Sequence, residues 1–158
     1  HWDIIANPAL LSPLDLATAE APTRWSDFWD GYPQARARFL SAIEARPDAR
    51  ALVLTGDLHS WWAFEGRTSV LERPAYAEFV AGSLASRPPR AGLFGRDLEQ
   101  RNPQLRYARL QDAGFGIAEL TPNSARIGFH RVDGVVPDAP AETFKTFELD
   151  RASMRMVT

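Results

Sequence analysis

The densest chemistry in the sequence lies at Gly56-Asp57-Leu58-His59, which follows directly on the apolar run Ala51-Leu52-Val53-Leu54-Thr55. Strand ends are where α/β sheets place ligands. If the backbone stays extended through the motif, Asp57 and His59 point to one side, with Cα atoms about 6.5 to 7 Å apart. A carboxylate and an imidazole converging there suit zinc, iron or manganese, with the second ring nitrogen of His59 held by an outer acceptor. Imidazole ligates only when deprotonated, so metal affinity should fall as pH drops. Gly56 lets the backbone turn, or lets another group approach closely. The other reading is a strand-end turn in which Asp57 and His59 are ordinary polar residues, and four residues of spacing leave both readings open.

Other groups carry less. In Ser124 to Val132, alternation puts His130 with Gly128 and Val132 on the face opposite Phe129, as a surface or rim imidazole of an antiparallel strand. His1 is terminal and carries no argument. Trp25, Phe28, Trp29 and Tyr32 read as core or lid packing, and Asp30 as a turn or helix-start acceptor. Trp61 and Trp62 are adjacent, so in a strand they face opposite ways and cannot form one stacking platform.

The elements that must position these groups can be read from hydrophobic pattern and turn chemistry. Trp2 to Ala6 is a short β-prone run ended by Asn7-Pro8, which predicts a buried strand. Pro33 to Arg46 predicts a helix: proline in the first turn, a stripe of Ala35, Phe39, Leu40 and Ile43, and Pro47 as a stop. Ala51 to Thr55 is continuously apolar, so it predicts a strand covered on both faces. Strand, helix, strand is the grammar of an α/β layer. Thereafter Leu105–Leu110, Phe115–Thr121, Ala125–Val132, Thr143–Leu149 and Met154–Val157 predict short strands, with one short helix over Asp97–Asn102. Asp112-Ala113-Gly114, Pro122-Asn123-Ser124 and Asp133-Gly134 read as the tight connections of antiparallel hairpins and meanders.

Composition bounds the partners. The chain has 158 residues, 45% hydrophobic and 24% charged, which is ordinary for one folded domain and excludes disorder and low complexity. A net charge of −2 argues against a nucleic acid or anionic membrane recognised by bulk charge. All but Lys145 of the 18 basic residues are arginine, a compositional bias from which no function follows. Cysteine is absent, so disulfides, thiolate metal ligands and thiol nucleophiles are excluded within this chain. No run reaches the roughly 18 apolar residues of a membrane span, and none has the pattern of a signal peptide. The start at His1, with a strand following at once, predicts that the chain is part of a longer protein.

Phe28-Trp29-Asp30-Gly31-Tyr32-Pro33, the helix, the strand into Thr55-Gly56-Asp57-Leu58-His59-Ser60, then Tyr76-Ala77-Glu78-Phe79, Asn102-Pro103-Gln104-Leu105-Arg106-Tyr107 and Ala113-Gly114-Phe115-Gly116 resemble, in order, the C-terminal part of the alkaline phosphatase D (PhoD-like) family. That family belongs to the calcineurin-like metallophosphoesterases. The resemblance implies an α+β or α/β fold: the C-terminal half of a two-sheet sandwich, strand-helix-strand followed by mostly antiparallel strands, with residues 1–158 a single or partial domain. It implies hydrolysis of phosphate mono- or diesters by a metal-bound hydroxide, on calcium, iron, zinc or manganese ions. Asp57 and His59 would be metal ligands, and His59 the one catalytic residue, on a neighbouring ion or the phosphate. Glu78 and the Trp29-Asp30 segment match family positions too, and are assigned first to structure or the rim of the site. The earlier metal-binding motifs of the family are missing, so the chain is expected to hold part of a site and to be inactive alone. Its implied partners are a phosphate-ester substrate and the missing N-terminal half, in a periplasmic or secreted protein. The competing expectation is a noncatalytic β-rich binding or packing module.

Overall fold

The computed structural model describes residues 1–16, 24–46, 48, 50–68, 71, 73–87, 97–134, 136 and 138–157, and its strands fall into two sheets. The first contains β1 (Asp3–Asn7), β2 (Ala51–Thr55), β3 (Trp61–Gly66), β4 (Tyr76–Val80) and β5 (Leu105–Arg109), in the order β1-β2-β4-β3-β5. β1, β2 and β4 run parallel, while β3 is antiparallel to both β4 and β5. Helix α1 (Pro33–Glu44) joins β1 to β2, as the strand-helix-strand pattern requires of parallel neighbours. Proline opens it, and Phe39, Leu40 and Ile43 pack on Leu11, Ala51, Val53 and Tyr76. The expected stop at Pro47 lies outside the described residues. A short helix, α2 (Leu98–Arg101), precedes β5 where one was expected.

The second sheet is an antiparallel meander of β6 (Ala113–Leu120), β7 (Ser124–Val132), β8 (Ala141–Asp150) and β9 (Met156–Val157). Its inward residues Ala125, Ile127, Phe129, Phe147 and Leu149 meet Leu52, Trp61, Ala63, Ala77 and Phe79 of the first sheet. The Trp61 ring lies 5.0 Å from both Phe129 and Phe144, and its indole N–H donates to the carbonyls of Gln111 and Asp112. The opposite face of the first sheet packs on residues 9–16 and α1. Trp61 and Trp62 therefore belong to different cores, as their adjacency predicted.

Two expectations are corrected, and two strands had no signal in the sequence. β1 is an edge strand with Ile4 about half exposed, not a buried one, because only β2 pairs with it among the described residues. Asp112-Ala113-Gly114 makes no hairpin; it carries the chain from β5 in one sheet to β6 in the other. Gly114 is required there, since a Cβ would sit 1.9 Å from the His130 carbonyl oxygen and its φ is 157°. Finally, β3 and β4 lie beside each other within the first sheet although no hydrophobic period marks them. Both are buried throughout, so neither alternates, and each contains a glutamate.

Candidate functional site

β2 ends at Thr55, and the chain then turns sharply. Asp57 has φ 71° and His59 φ 50°, and the Leu58 N–H donates to the Gly56 carbonyl at 2.9 Å. This closes a γ-turn around Asp57 in its rare, strained, left-handed form. Left-handed backbone costs an L-residue roughly 1–2 kcal/mol, somewhat less for aspartate, so the surroundings must impose it. Leu58, buried between the two, plugs into the cluster of Phe28, Trp62 and Val80. The Ser60 hydroxyl donates to the Leu58 carbonyl at 2.9 Å and accepts from the Trp62 indole at 2.7 Å. The expectation of an extended Gly-Asp-X-His is thus corrected: a pinned double turn, not the pleat of a strand, orients the two side chains.

Asp57 is exposed and His59 half-buried, and both line an open cavity of about 280 Å³ with Trp25, Asp27, Phe28 and Arg87. Neither the Asp57 carboxylate nor the His59 ring has a hydrogen-bond or ion-pair partner among the described residues. Strained turns bearing unengaged donors are characteristic of ligand sites. A carboxylate oxygen and an imidazole nitrogen suit a divalent or ferric ion, but among the described residues no group of three or more His, Cys, Asp or Glu could hold one. The donor set fits a metal as part of a site.

Behind the turn lies a clamp. Glu78 on β4 is fully buried, and its carboxylate accepts from the Leu11 N–H at 2.9 Å, the Ser12 N–H at 2.7 Å and the Thr55 hydroxyl at 2.6 Å. Burial pushes its carboxyl up from the ordinary glutamate value, against the pull of these donors. Burial likewise pushes up the neighbouring Tyr76, whose hydroxyl lies 3.2 Å from Ser12 Oγ. Glu78 thereby ties the loop after β1 to the last residue of β2, one step before Gly56. Asn102 holds the same loop from the other side, accepting from the Asp15 N–H at 2.8 Å and donating to the Asp15 carbonyl at 2.9 Å. Asp30 accepts from the Leu14 N–H at 2.9 Å and pairs with Arg36, so it is a tie between segments and caps no helix.

The aromatic segment is divided: Trp25 and Phe28, 5.3 Å apart edge to face, wall the cavity, while Trp29 packs on Phe39. His130 is on the outer face of the second sheet, stacked on Phe115 at 5.1 Å and bonded through Nδ1 to the Thr143 hydroxyl at 2.9 Å. It lines a different groove from Asp57 and His59. Arg87, which lies in a loop with no motif around it, carries no signal in the sequence.

Comparison with known proteins bears on the family of the chain. The family model of PhoD-like phosphatases matches residues 1–129. Alkaline phosphatase D of Bacillus subtilis (strain 168) is 34% identical over an alignment of 174 residues that covers 100% of this chain and 28% of that protein. A solved structure titled "Structure of PhoD" superposes with a TM-score of 0.81 at 26% identity, covering 99% of this chain and 31% of the other. The chain thus spans less than a third of the length of these relatives. Through a match to more than half of its residues, the chain belongs to the PhoD-like phosphatase family.

Proposed function

We propose that this chain is the C-terminal part of a metal-dependent phosphoesterase domain, supplying Asp57 and His59 to a metal site whose remaining ligands lie elsewhere in the complete enzyme. The observation that carries the reading is the pair of unengaged donors on a strained, core-pinned turn at the end of a buried strand. Family membership supports the phosphate-ester class, whether mono- or diester.

Bound ions at such a site supply Lewis acidity toward the phosphoryl oxygens and an activated water. Calcium would take the carboxylate alone, whereas iron, zinc and manganese accept both carboxylate and imidazole donors. In this chain Asp57 would hold an ion through its carboxylate, and His59 would ligate through a ring nitrogen or donate to a phosphoryl oxygen. The Arg87 guanidinium, on the same cavity, is placed to neutralise charge on the ester. Trp25 and Phe28 give that cavity an apolar wall. The Glu78 clamp holds Thr55, and with it the start of the turn. A secreted or periplasmic location accords with the family and is part of the proposal.

The test uses the complete enzyme. Asp57→Asn and His59→Ala are expected to lower metal content and turnover together, each by at least about tenfold, on the scale of lost metal-site groups. Full activity in both variants overturns the assignment. The isolated 158-residue chain is expected to hydrolyse no phosphate ester measurably, and robust turnover by it would contradict the partial site.

A further inference from the structure

A second concavity lies toward the opposite end of the first sheet. Gly66 pairs with Tyr76 there, whereas Trp62 pairs with Val80 beside the Gly56–Ser60 turn, so the two regions are about 13 Å apart along β4. Between α1 and the β3–β5 pair, a cleft of about 530 Å³ is lined by three guanidiniums: Arg36 from α1, Arg67 just beyond β3 and Arg106 on β5.

Among the described residues their carboxylate partners are two, Asp30 and Glu65, both already engaged. Arg36 shares Asp30 with Arg24, and Arg106 gives Nε and Nη2 to Glu65 Oε2 at 2.9 and 2.7 Å, which leaves its Nη1 uncommitted. Both carboxylate side chains are only 4% exposed, so they are turned into the protein and away from solvent. Arg67 is exposed and has no carboxylate partner among the described residues. The result is a local positive excess on a chain whose net charge is −2. The wall is rigid: Tyr76 is buried and bonded to Ser12, and a Cβ at Gly66 would lie 2.0 Å from the Tyr76 ring.

We infer that this cleft binds a small, multiply charged oxyanion of the phosphate class, separate from the Asp57–His59 site. Guanidinium forks match the oxygens of such an anion, and a cleft of this volume admits more than one phosphoryl group. Pyrophosphate is therefore expected to bind more tightly than inorganic phosphate. Binding needs no metal, which separates this inference from the proposed function: either can fail without the other.

The experiment is an amide NMR titration of the folded chain in excess EDTA, at fixed ionic strength, with inorganic phosphate, pyrophosphate and citrate. Saturable shifts at Gly66, Arg67, Gln104 and Arg106 are expected. Arg67→Gln, a surface change that breaks no ion pair among the described residues, should weaken pyrophosphate roughly fivefold to tenfold. His59→Ala should leave it unchanged. Shifts that do not saturate, that sodium chloride reproduces, or that centre on Asp57 and His59 overturn the inference. Citrate binding as tightly as pyrophosphate overturns the phosphate class, and an Arg67→Gln variant that binds normally overturns the cleft.

Discussion

The two sheets share one apolar core but treat polar groups in opposite ways. In the antiparallel meander the charges face outward, in exposed pairs such as Arg126 with Glu119 and Glu148 or Arg131 with Glu142. The mixed sheet buries two carboxylates: Glu78 is enclosed by backbone donors and Thr55, and Glu65 joins Arg106 to the Met156 N–H. Two left-handed residues stand at the end of its second strand, on a cavity, whereas those of the meander, Asp138 and Met154, lie in the connections between its strands. Buried carboxylates and strained backbone persist only where the surroundings over-determine them, and such departures from local preference concentrate at functional sites. One sheet is a packing layer with a solvated face; the other is a scaffold built to hold a turn.

The comparison breaks most severely if the shared core is removed. Trp61→Ala, at the ring that joins the sheets, is expected to cost about 3–5 kcal/mol of stability, read by urea denaturation. A loss under about 1 kcal/mol would mean that the sheets do not depend on this contact.

Glu78 tests the mixed sheet itself. Glu78→Gln places an N–H group against one of the donors that the carboxylate satisfies, and should cost about 1–3 kcal/mol. The pH dependence has a definite sign. Because the folded value lies above the unfolded one, the folded chain retains a proton between the two that the unfolded chain has lost. Stability from this group is therefore present in full below the unfolded value and is lost as pH rises through the folded one. Glu78→Gln should flatten that slope across a pH series of urea midpoints, and an unchanged slope would remove Glu78 as its source.

Smaller effects separate a ligand turn from a structural turn. Asp57→Gly relieves left-handed strain while adding unfolded-state freedom, so stability should change by no more than about 1 kcal/mol even as metal affinity is lost. A loss well beyond that would make Asp57 a structural residue. On the other sheet, Arg126→Ala should shift stability by less than about 0.5 kcal/mol, because its ion pairs are exposed. Thermal denaturation checks both.

The same contrast explains what could be read from the sequence. The meander strands and β2 were legible because their apolar positions either alternate or run unbroken, and α1 because proline and an apolar stripe mark it. β3 and β4 were not: Trp61 to Gly66 and Tyr76 to Val80 are buried on both faces yet contain Glu65 and Glu78, whose partners lie far away in sequence. Gly56-Asp57-Leu58-His59 stood out by residue type, but its conformation did not, since the turn depends on the burial of Leu58 against Phe28 and Trp62. Arg87 reaches the same cavity only through the fold.

The central claim, that the strained turn is a metal-binding element, is tested most directly by titrating the folded chain with Mn²⁺ and following paramagnetic broadening of its amide signals. Signals of Gly56 to Ser60 should broaden first, and His59→Ala should abolish that selectivity. Broadening that begins at other carboxylates, or that persists unchanged at the turn in His59→Ala, would contradict the account.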